Sequence, residues 1–371
     1  MTDSPQTVSR RRLLELTGGS IATASVANPA SARENRVEVN VGFRGSAGRS
    51  AALDAATDVK REFAFDAVTI EVPREAVAGL ENNPNIRYVE EDGEMHAHDI
   101  EPWGVGRIDA DITRNNGVTG NGASVAILDT GIDPAHPDLS PNLGNGLCTA
   151  DCLGAPVWID RNGHGTHVAG TVAAAQTGEG VVGVAPDATL HAVKVLGDDG
   201  SGSFSSIAAG IEWSADQGHD VINMSLGGGY SWIVNAACEY AFDNGSLLVS
   251  SAGNSGPCTN CVNYPAGLDT VVAVSSTTSN DNLSNFSSTG PEVELAAPGS
   301  NVYSTSLDGG YATLSGTSMA APHVSGVAAL LMGQGHLHVY ALHRMHITAE
   351  DIGLSSNEQG SGLVNAADAV P

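Results

Sequence analysis

Four polar residues stand where apolar runs stop, and their types together suit acyl-transfer chemistry. Asp129 closes Val125-Ala126-Ile127-Leu128 and opens Asp129-Thr130-Gly131. His164 lies in Asn162-Gly163-His164-Gly165-Thr166-His167-Val168-Ala169-Gly170, opening a helical run of small residues. Asn254 ends Ser251-Ala252-Gly253-Asn254, and Ser318 stands in Gly316-Thr317-Ser318-Met319-Ala320-Ala321-Pro322-His323, ahead of an apolar helix through Met332. Each alone has an ordinary use, since strand-end carboxylates serve turns and a serine before a helix serves as an N-cap. Together they supply an orienting carboxylate, a base, an amide donor and a nucleophile, with the triad in the chain order Asp, His, Ser. A helix N-terminus at Ser318 favours developing negative charge. Pro322 is expected within the first helical turn, where backbone N–H groups lack helical partners.

Competing chemistries fit less well. Asp129-Thr130-Gly131 matches an aspartic-protease signature, but that chemistry needs two carboxylates sharing a proton and no second copy occurs. His164 and His167, at i and i+3, lack the Glu of the helical His-Glu-x-x-His zinc motif, so His167 reads as a packed helix residue. An esterase of the α/β-hydrolase type needs Gly-x-Ser-x-Gly and the order Ser, Asp, His.

The elements that must hold these residues are legible as short apolar runs alternating with helical patterns. Val125–Leu128, His191–Leu196, Val221–Met224, Leu247–Val249, Val271–Val274 and Val293–Ala297 read as strands. Helices are expected near His167–Ala175, Phe204–Gln217 and Ile233–Asn244. Strands buried on both faces and separated by helices predict an α/β fold with a doubly wound parallel sheet, whose ligands bind beyond the carboxyl ends of the strands.

Three segments are expected. Residues 1–32 carry Ser9-Arg10-Arg11-Arg12-Leu13-Leu14, a weakly apolar stretch and Ala30-Ser31-Ala32, which resembles a twin-arginine export signal. Residues 33–98 read as a small α+β ferredoxin-like domain: a strand at Val37–Val41, a helix over Ala47–Val59, strands within Ala64–Val72, a helix near Glu75–Glu81 and a strand at Ile86–Val89. Gly93–His98 then forms a cleavable linker. Residues 99–371 form the sheet domain.

Composition narrows the class further. The 371 residues carry 42 acidic and 16 basic side chains, a net charge of −26, and Lys60 and Lys194 are the only lysines. From residue 99 onward there are 27 acidic against 5 basic side chains. Such a surface repels nucleic acid, and its self-repulsion is relieved in strong salt, where the Debye length is about 3 Å at 1 M. The balance therefore reads as salt adaptation. No 18-residue apolar run exists to span a membrane.

Residues 120–371 resemble a subtilisin-type serine protease in the blocks around Asp129, His164 and Ser318. With the acidity, the lysine scarcity and the export signal, the closest resemblance is to the halolysins, secreted subtilases of salt-loving archaea. Residues 35–95 resemble the family's inhibitory propeptide. The resemblance implies an extracellular, monomeric endopeptidase acting on protein and peptide substrates and matured by loss of its propeptide, which serves as an intramolecular chaperone or inhibitor. It implies Asp129, His164 and Ser318 as the triad and Asn254 as oxyanion donor. Ser225, Leu226, Gly227, Gly200, Ser201 and Gly202 would pair with an extended peptide. Ala252 and Gly253 would wall the primary pocket and Asn263 would lie at its floor, with broad specificity of apolar leaning. It also implies calcium, held by Asp138, the carbonyls of Ala175, Glu179 and Val181, and a side chain at Thr177, where relatives have asparagine; Asp99 could add an oxygen. A catalytically silent binding protein on the same fold is the other functional class, and the filled catalytic positions favour the enzyme.

Cys148 with Cys152 and Cys258 with Cys261 suit local disulfides and leave Cys238 as a buried thiol, while the same two pairs also suit a four-cysteine zinc site. His336, His338, His343 and His346 crowd a segment that should be helical, and they put the packing of the C-terminal helices in question.

Overall fold

The computed structural model describes residues 35–92 and 100–371; the expected export signal, the linker and Asp99 lie outside them. The chain divides into two compact units between residues 95 and 96. No helix among the described residues is long and apolar enough to cross a membrane.

The first unit runs β1 (Arg36–Phe43), α1 (Gly45–Ala55), β2 (Asp58–Glu62), β3 (Ala67–Pro73), α2 (Val77–Glu81) and β4 (Ile86–Glu91). Its strands pair antiparallel in the order β2-β3-β1-β4. Alternate positions Val39, Val41, Val68, Ile70 and Val72 meet Ala52 and Leu80 in one core. The helix expected over 47–59 stops at Ala55, because 58–62 is the edge strand β2. Every residue of that strand is exposed, so no apolar alternation announces it. Its charges are what an open sheet edge requires.

The second unit is built on a seven-stranded sheet in which every neighbouring pair is parallel. Its strands are β5 (Ser124–Asp129), β6 (Leu143–Cys148), β7 (Thr189–Lys194), β8 (Val221–Met224), β9 (Leu247–Ser251), β10 (Val271–Thr277) and β11 (Val293–Pro298), ordered β11-β10-β9-β8-β5-β7-β6. The order reverses at β5, so the sheet's switch point falls at the carboxyl end that Asp129 closes. Alternation along β5 divides two apolar layers: Val125 and Ile127 face one, Ala126 and Leu128 the other. The first layer includes α3 (Trp103–Arg107), α4 (Ala110–Asn115), α5 (His164–Ala173) and α8 (Thr317–Gly333), the second α6 (Phe204–Asp216) and α7 (Trp232–Asp243).

Helix α8 is buried on all sides, which explains its run of Ala, Val, Leu and Gly. Each buried Leu or Val there contributes roughly 1.5–3 kcal/mol, and truncating Leu330 to Ala would cost about 2–5 kcal/mol. Edge strand β6 escapes a sequence reading because Gly144 and Gly146 interrupt it. A Cβ on Gly146 would lie 2.6 Å from the Trp158 ring, so close packing demands the glycine. The hairpin β12 (Val302–Thr305) and β13 (Tyr311–Leu314) lies outside the main sheet.

The histidine-rich segment is helical after all. Helix α9 (His338–Thr348) buries Ala341 and Met345, one turn apart, and that narrow stripe suffices because α8 supplies the packing surface. His336 stacks on Tyr340, His338 meets the Phe242 edge, and His346 Nε2 lies 2.9 Å from Glu294. Among the described residues no three His, Cys, Asp or Glu side chains cluster as a metal site. Cys148–Cys152 and Cys258–Cys261 are disulfide-bonded, which removes the zinc alternative, and burial pushes the Cys238 thiol up to about 12.

Candidate active site

Strand β5 delivers Asp129 fully buried, and its carboxylate accepts from the Thr130 N–H at 2.7 Å. Helix α5 begins at His164, after Gly163 in the left-handed region at φ 100°, and its imidazole Nδ1 lies 2.8 and 3.0 Å from the two Asp129 oxygens. With Nδ1–H donated to Asp129, Nε2 is the free basic nitrogen. The Asp129 charge raises the His164 pKa above its ordinary value against the opposing effect of burial, with a smaller contribution from Asp160. His167 points elsewhere: its Nε2 donates to the carbonyls of Val302 and Ala312, and burial depresses it to about 4.

Ser318 is the second residue of α8. Pro322 is the sixth, beyond the first turn, so the expectation that it occupies an unpaired N-terminal position is corrected. A proline there leaves the carbonyl four residues back, that of Ser318, without its helical partner. Ser225 Oγ takes the vacancy, donating to the Ser318 carbonyl at 2.9 Å, while the Ser318 hydroxyl donates to the Ser225 carbonyl at 3.3 Å. Asn223 Nδ2 donates to Ser225 Oγ, and Ser325 Oγ donates to Asn223, so the Ser318 backbone is anchored through a buried polar chain.

Asn254 is oriented by its own amide oxygen, which accepts from Thr317 N at 2.9 Å and Thr317 Oγ at 3.0 Å and leaves Nδ2 to face outward. A Cβ placed on Gly316 would lie 3.6 Å from both Asn254 Nδ2 and Ser318 N, so the two donors converge on one space. That convergence suits an oxyanion.

His164, Gly200–Gly202 and Ser225–Gly227 line one cleft of about 440 Å³. Ala252, Gly253 and Asn263 lie outside that lining. Their segment instead ties the walls together: Asn263 N–H donates to the Ala252 carbonyl, and Gly228 and Tyr264 exchange backbone bonds at 2.8 and 3.1 Å.

Two residues at the site escaped the sequence reading. Asp160, almost wholly buried, accepts from Thr130 Oγ, the N–H groups of Asn162, Gly163 and Thr166, and Thr166 Oγ. It pins the start of α5 to the end of β5. Its signal was a carboxylate just ahead of a helix start. Lys194, buried on β7, donates to the Thr130 carbonyl at 2.8 Å and to Asp198 at 2.9 Å; its signal was a lysine kept where nearly every other cation is arginine.

The loop after α5 wraps Asp138, which is buried and accepts from Thr177 Oγ, Val181 N–H and the Tyr311 hydroxyl, at 2.9–3.1 Å. Thr177 Oγ also lies 2.6 Å from the Glu179 carbonyl. The buried carboxylate, the two hydroxyls on it and the Glu179 carbonyl beside Thr177 are hard oxygens of the kind calcium takes, while the third partner, Val181 N–H, is a donor to the carboxylate itself.

Comparison with known proteins gives a consistent result. A family model described as "Subtilase family" matches residues 120–362. The chain is 39% identical to the thermostable alkaline protease of Halalkalibacterium halodurans, over 96% of this chain and 98% of that protein. It is 46% identical to the M-protease of Shouchella clausii (81% and 78% of the two chains) and 43% identical to alkaline elastase YaB of Bacillus sp. (85% and 83%).

Proposed function

This chain belongs to the subtilase family and is a subtilisin-type serine endopeptidase, and from that premise we propose that Ser318, His164 and Asp129 are its nucleophile, general base and orienting carboxylate. The observation that carries the assignment is the Asp129 carboxylate on His164 Nδ1 at the sheet's switch point. Ser318 Oγ attacks the scissile carbonyl while His164 Nε2 takes its proton. Asp129 holds the tautomer and stabilises the imidazolium, and His164 then gives the proton to the leaving amine. The oxyanion is received by Asn254 Nδ2 and Ser318 N–H; a side-chain donor of this kind is worth about 2.7–4 kcal/mol of barrier in subtilisin itself. Because His164 must be neutral to act and its pKa is raised, activity should fall on acidification from a pH above the ordinary imidazole value. The peptide lies extended between Gly200–Gly202 and Ser225–Gly227, whose backbone groups pair with it.

The finer reading is that of a salt-adapted enzyme related to the halolysins, exported by the twin-arginine route and acting outside the cell as a monomer. Residues 33–98 are removed as a propeptide, leaving 99–371. The charge balance, the paired arginines and the separate compact unit support it. Asp138, Thr177 and the carbonyls of Ala175, Glu179 and Val181 would hold a calcium ion, whose charge would answer the buried carboxylate.

The test is the mass, N-terminal sequence and casein hydrolysis of wild type and Ser318→Ala, each folded in molar salt with calcium. Wild type should shorten to an active product beginning near Asp99 while the variant stays uncut and inert. Equal activity in both would remove Ser318 from the mechanism.

A further inference from the structure

Cys148 and Cys152 close a small ring at the carboxyl end of β6, with a sequence separation of 4. The first half of the ring is tied to the sheet domain without the disulfide: Thr149 N–H donates to the Lys194 carbonyl at 2.9 Å and Thr149 Oγ to the Ser206 carbonyl at 3.0 Å. The second half is exposed from Asp151 through Ala155, and the disulfide is its covalent return to the strand end. Within the ring Asp151 holds φ at 48°, a left-handed conformation that a residue with a Cβ keeps only where its surroundings fix it.

That conformation sets the Asp151 carboxylate against the next loop. Asp151 Oδ2 accepts from Asp198 N–H at 3.3 Å, and a Cβ on Gly197 would lie 2.2 Å from the same oxygen, so the carboxylate fills the space a side chain there would need. Gly197 begins the turn that presents Gly200–Gly202: its N–H donates to the Ser201 carbonyl at 2.8 Å, and its carbonyl accepts from Gly200 N–H at 2.9 Å. The Asp198 carbonyl accepts from Asn162 Nδ2 at 3.0 Å, and the Asn162 side-chain oxygen accepts from His164 N–H at 3.2 Å. Residues 148–152 do not line the cleft, so their hold on its wall runs through Gly197 and Asp198. The second disulfide differs. Cys258–Cys261 also encloses a left-handed residue, Asn260 at φ 55°, but Thr289 bonds to both of its ends, accepting from Cys261 N–H and donating to the Cys258 carbonyl.

Resting on the reading of Gly200–Gly202 as a wall that pairs with substrate, we infer that Asp151 is a positioning residue for that wall and that the Cys148–Cys152 disulfide is the thiol-sensitive brace that holds it in place. Cys152 is exposed, so a dithiol reaches it. Exchange through a mixed disulfide breaks the Cys148–Cys152 bond; the protein gains two electrons and two protons as two thiols, and the dithiol leaves as a cyclic disulfide. Asp151 then relaxes out of the left-handed region, its bond to Asp198 N–H is lost, and the wall pairs less well with an extended peptide. The triad stays assembled, because Asp160 and Ser225 hold His164 and Ser318 through bonds that do not involve the ring. Reducing surroundings therefore weaken peptide capture by the folded enzyme, and oxidising surroundings complete it.

The test compares succinyl-Ala-Ala-Pro-Leu-p-nitroanilide, which extends along the wall, with acetyl-Leu-p-nitroanilide, which presents the same scissile bond without the chain ahead of it. The full chain is folded and matured in molar salt with calcium, with casein as a further substrate. Wild type should cleave the longer anilide with the higher kcat/KM. Dithiothreitol on the matured enzyme, with new thiols counted by alkylation and mass, should raise the KM of the longer anilide about fivefold and change its kcat, and the kcat/KM of the short one, by less than about twofold. Cys148→Ser/Cys152→Ser and Asp151→Ala should show that rise without reductant. Asp151→Asn, which keeps an acceptor and tolerates the left-handed backbone, should stay within about twofold of wild type. Dithiothreitol should still act on Cys258→Ser/Cys261→Ser and no longer on Cys148→Ser/Cys152→Ser. A KM unchanged once Cys148 and Cys152 are free thiols, or equal losses on the long and short anilides, overturns the brace and leaves the triad standing. If wild type cleaves casein but gains nothing from the Ala-Ala-Pro extension, the wall reading falls and takes this inference with it; if wild type cleaves none of the three, the triad assignment falls first.

Discussion

Residues 35–92 carry 11 acidic and 7 basic side chains and set them in exposed pairs, Arg36 with Glu71, Arg49 with Glu62, and Arg74 with Glu91. Residues 100–371 carry 26 acidic against 5 basic side chains and bury carboxylates that matter to the site. Asp160 and Asp138 are held there by hydroxyls and backbone N–H groups, and Asp129 by Thr130 N–H and the His164 ring. Exposed pairs are weak and fade with salt, whereas hydrogen bonds inside the fold are shielded from it. The second unit can therefore carry a large negative surface, since the buried carboxylates Asp129, Asp138 and Asp160 take their bonds from hydroxyls, backbone N–H groups and an imidazole rather than from exposed cations.

The contrast breaks most sharply at Asp160. Asp160→Ala should leave five donors unmet and cost about 3–5 kcal/mol, with loss of casein hydrolysis as the start of α5 comes adrift. Urea unfolding in molar salt measures it, and a loss below about 1 kcal/mol would show that the hub is not what holds β5 to α5.

Acid offers the next lever, because the units differ in histidine: residues 35–92 have none. Burial depresses His167, His219 and His323 in the second unit to about 4 each. Between pH 6.5 and 4 the unfolded chain binds protons that the folded one refuses. Their stabilisation is thus complete above 6.5 and lost as pH falls toward 4. His164, whose pKa is raised, acts in the opposite sense as a single group. Melting of Ser318→Ala followed across this range should show the second unit losing stability and the first nearly level; a flat profile for the second would refute the buried-neutral histidines.

Chelation follows in size. If calcium answers Asp138, excess chelator should lower the stability of the second unit by about 2 kcal/mol, reversed by added calcium. An unchanged melting temperature would mean that Thr177, Val181 and Tyr311 satisfy Asp138 unaided. Smallest of all is Arg49→Ala, which should leave the first unit's melting unchanged within error in molar salt.

Much of the sheet was legible because its signals are local. Val221–Met224 is recovered to the residue, and β5 to within one residue at each end, since apolar runs bounded by polar residues need no partner to be recognised. The exposed β2, the glycine-broken β6 and the histidine-bearing α9 carry no such run, and each exists because a neighbouring strand or helix completes it.

The sequence by itself determined the alternation of strands and helices, the acidic surface, and which short segments carry a carboxylate, an imidazole, an amide and a hydroxyl. Tertiary structure alone decided that Asp160 ties two of those segments together, that Ser225 replaces the hydrogen bond Pro322 removes from Ser318, and that the Asn263 amide lies against Gly227 and Gly253. The physical reason is reach: composition and periodicity are properties of neighbours along the chain, whereas Ser225 and Ser318 are 93 residues apart and meet only when the sheet has closed around them.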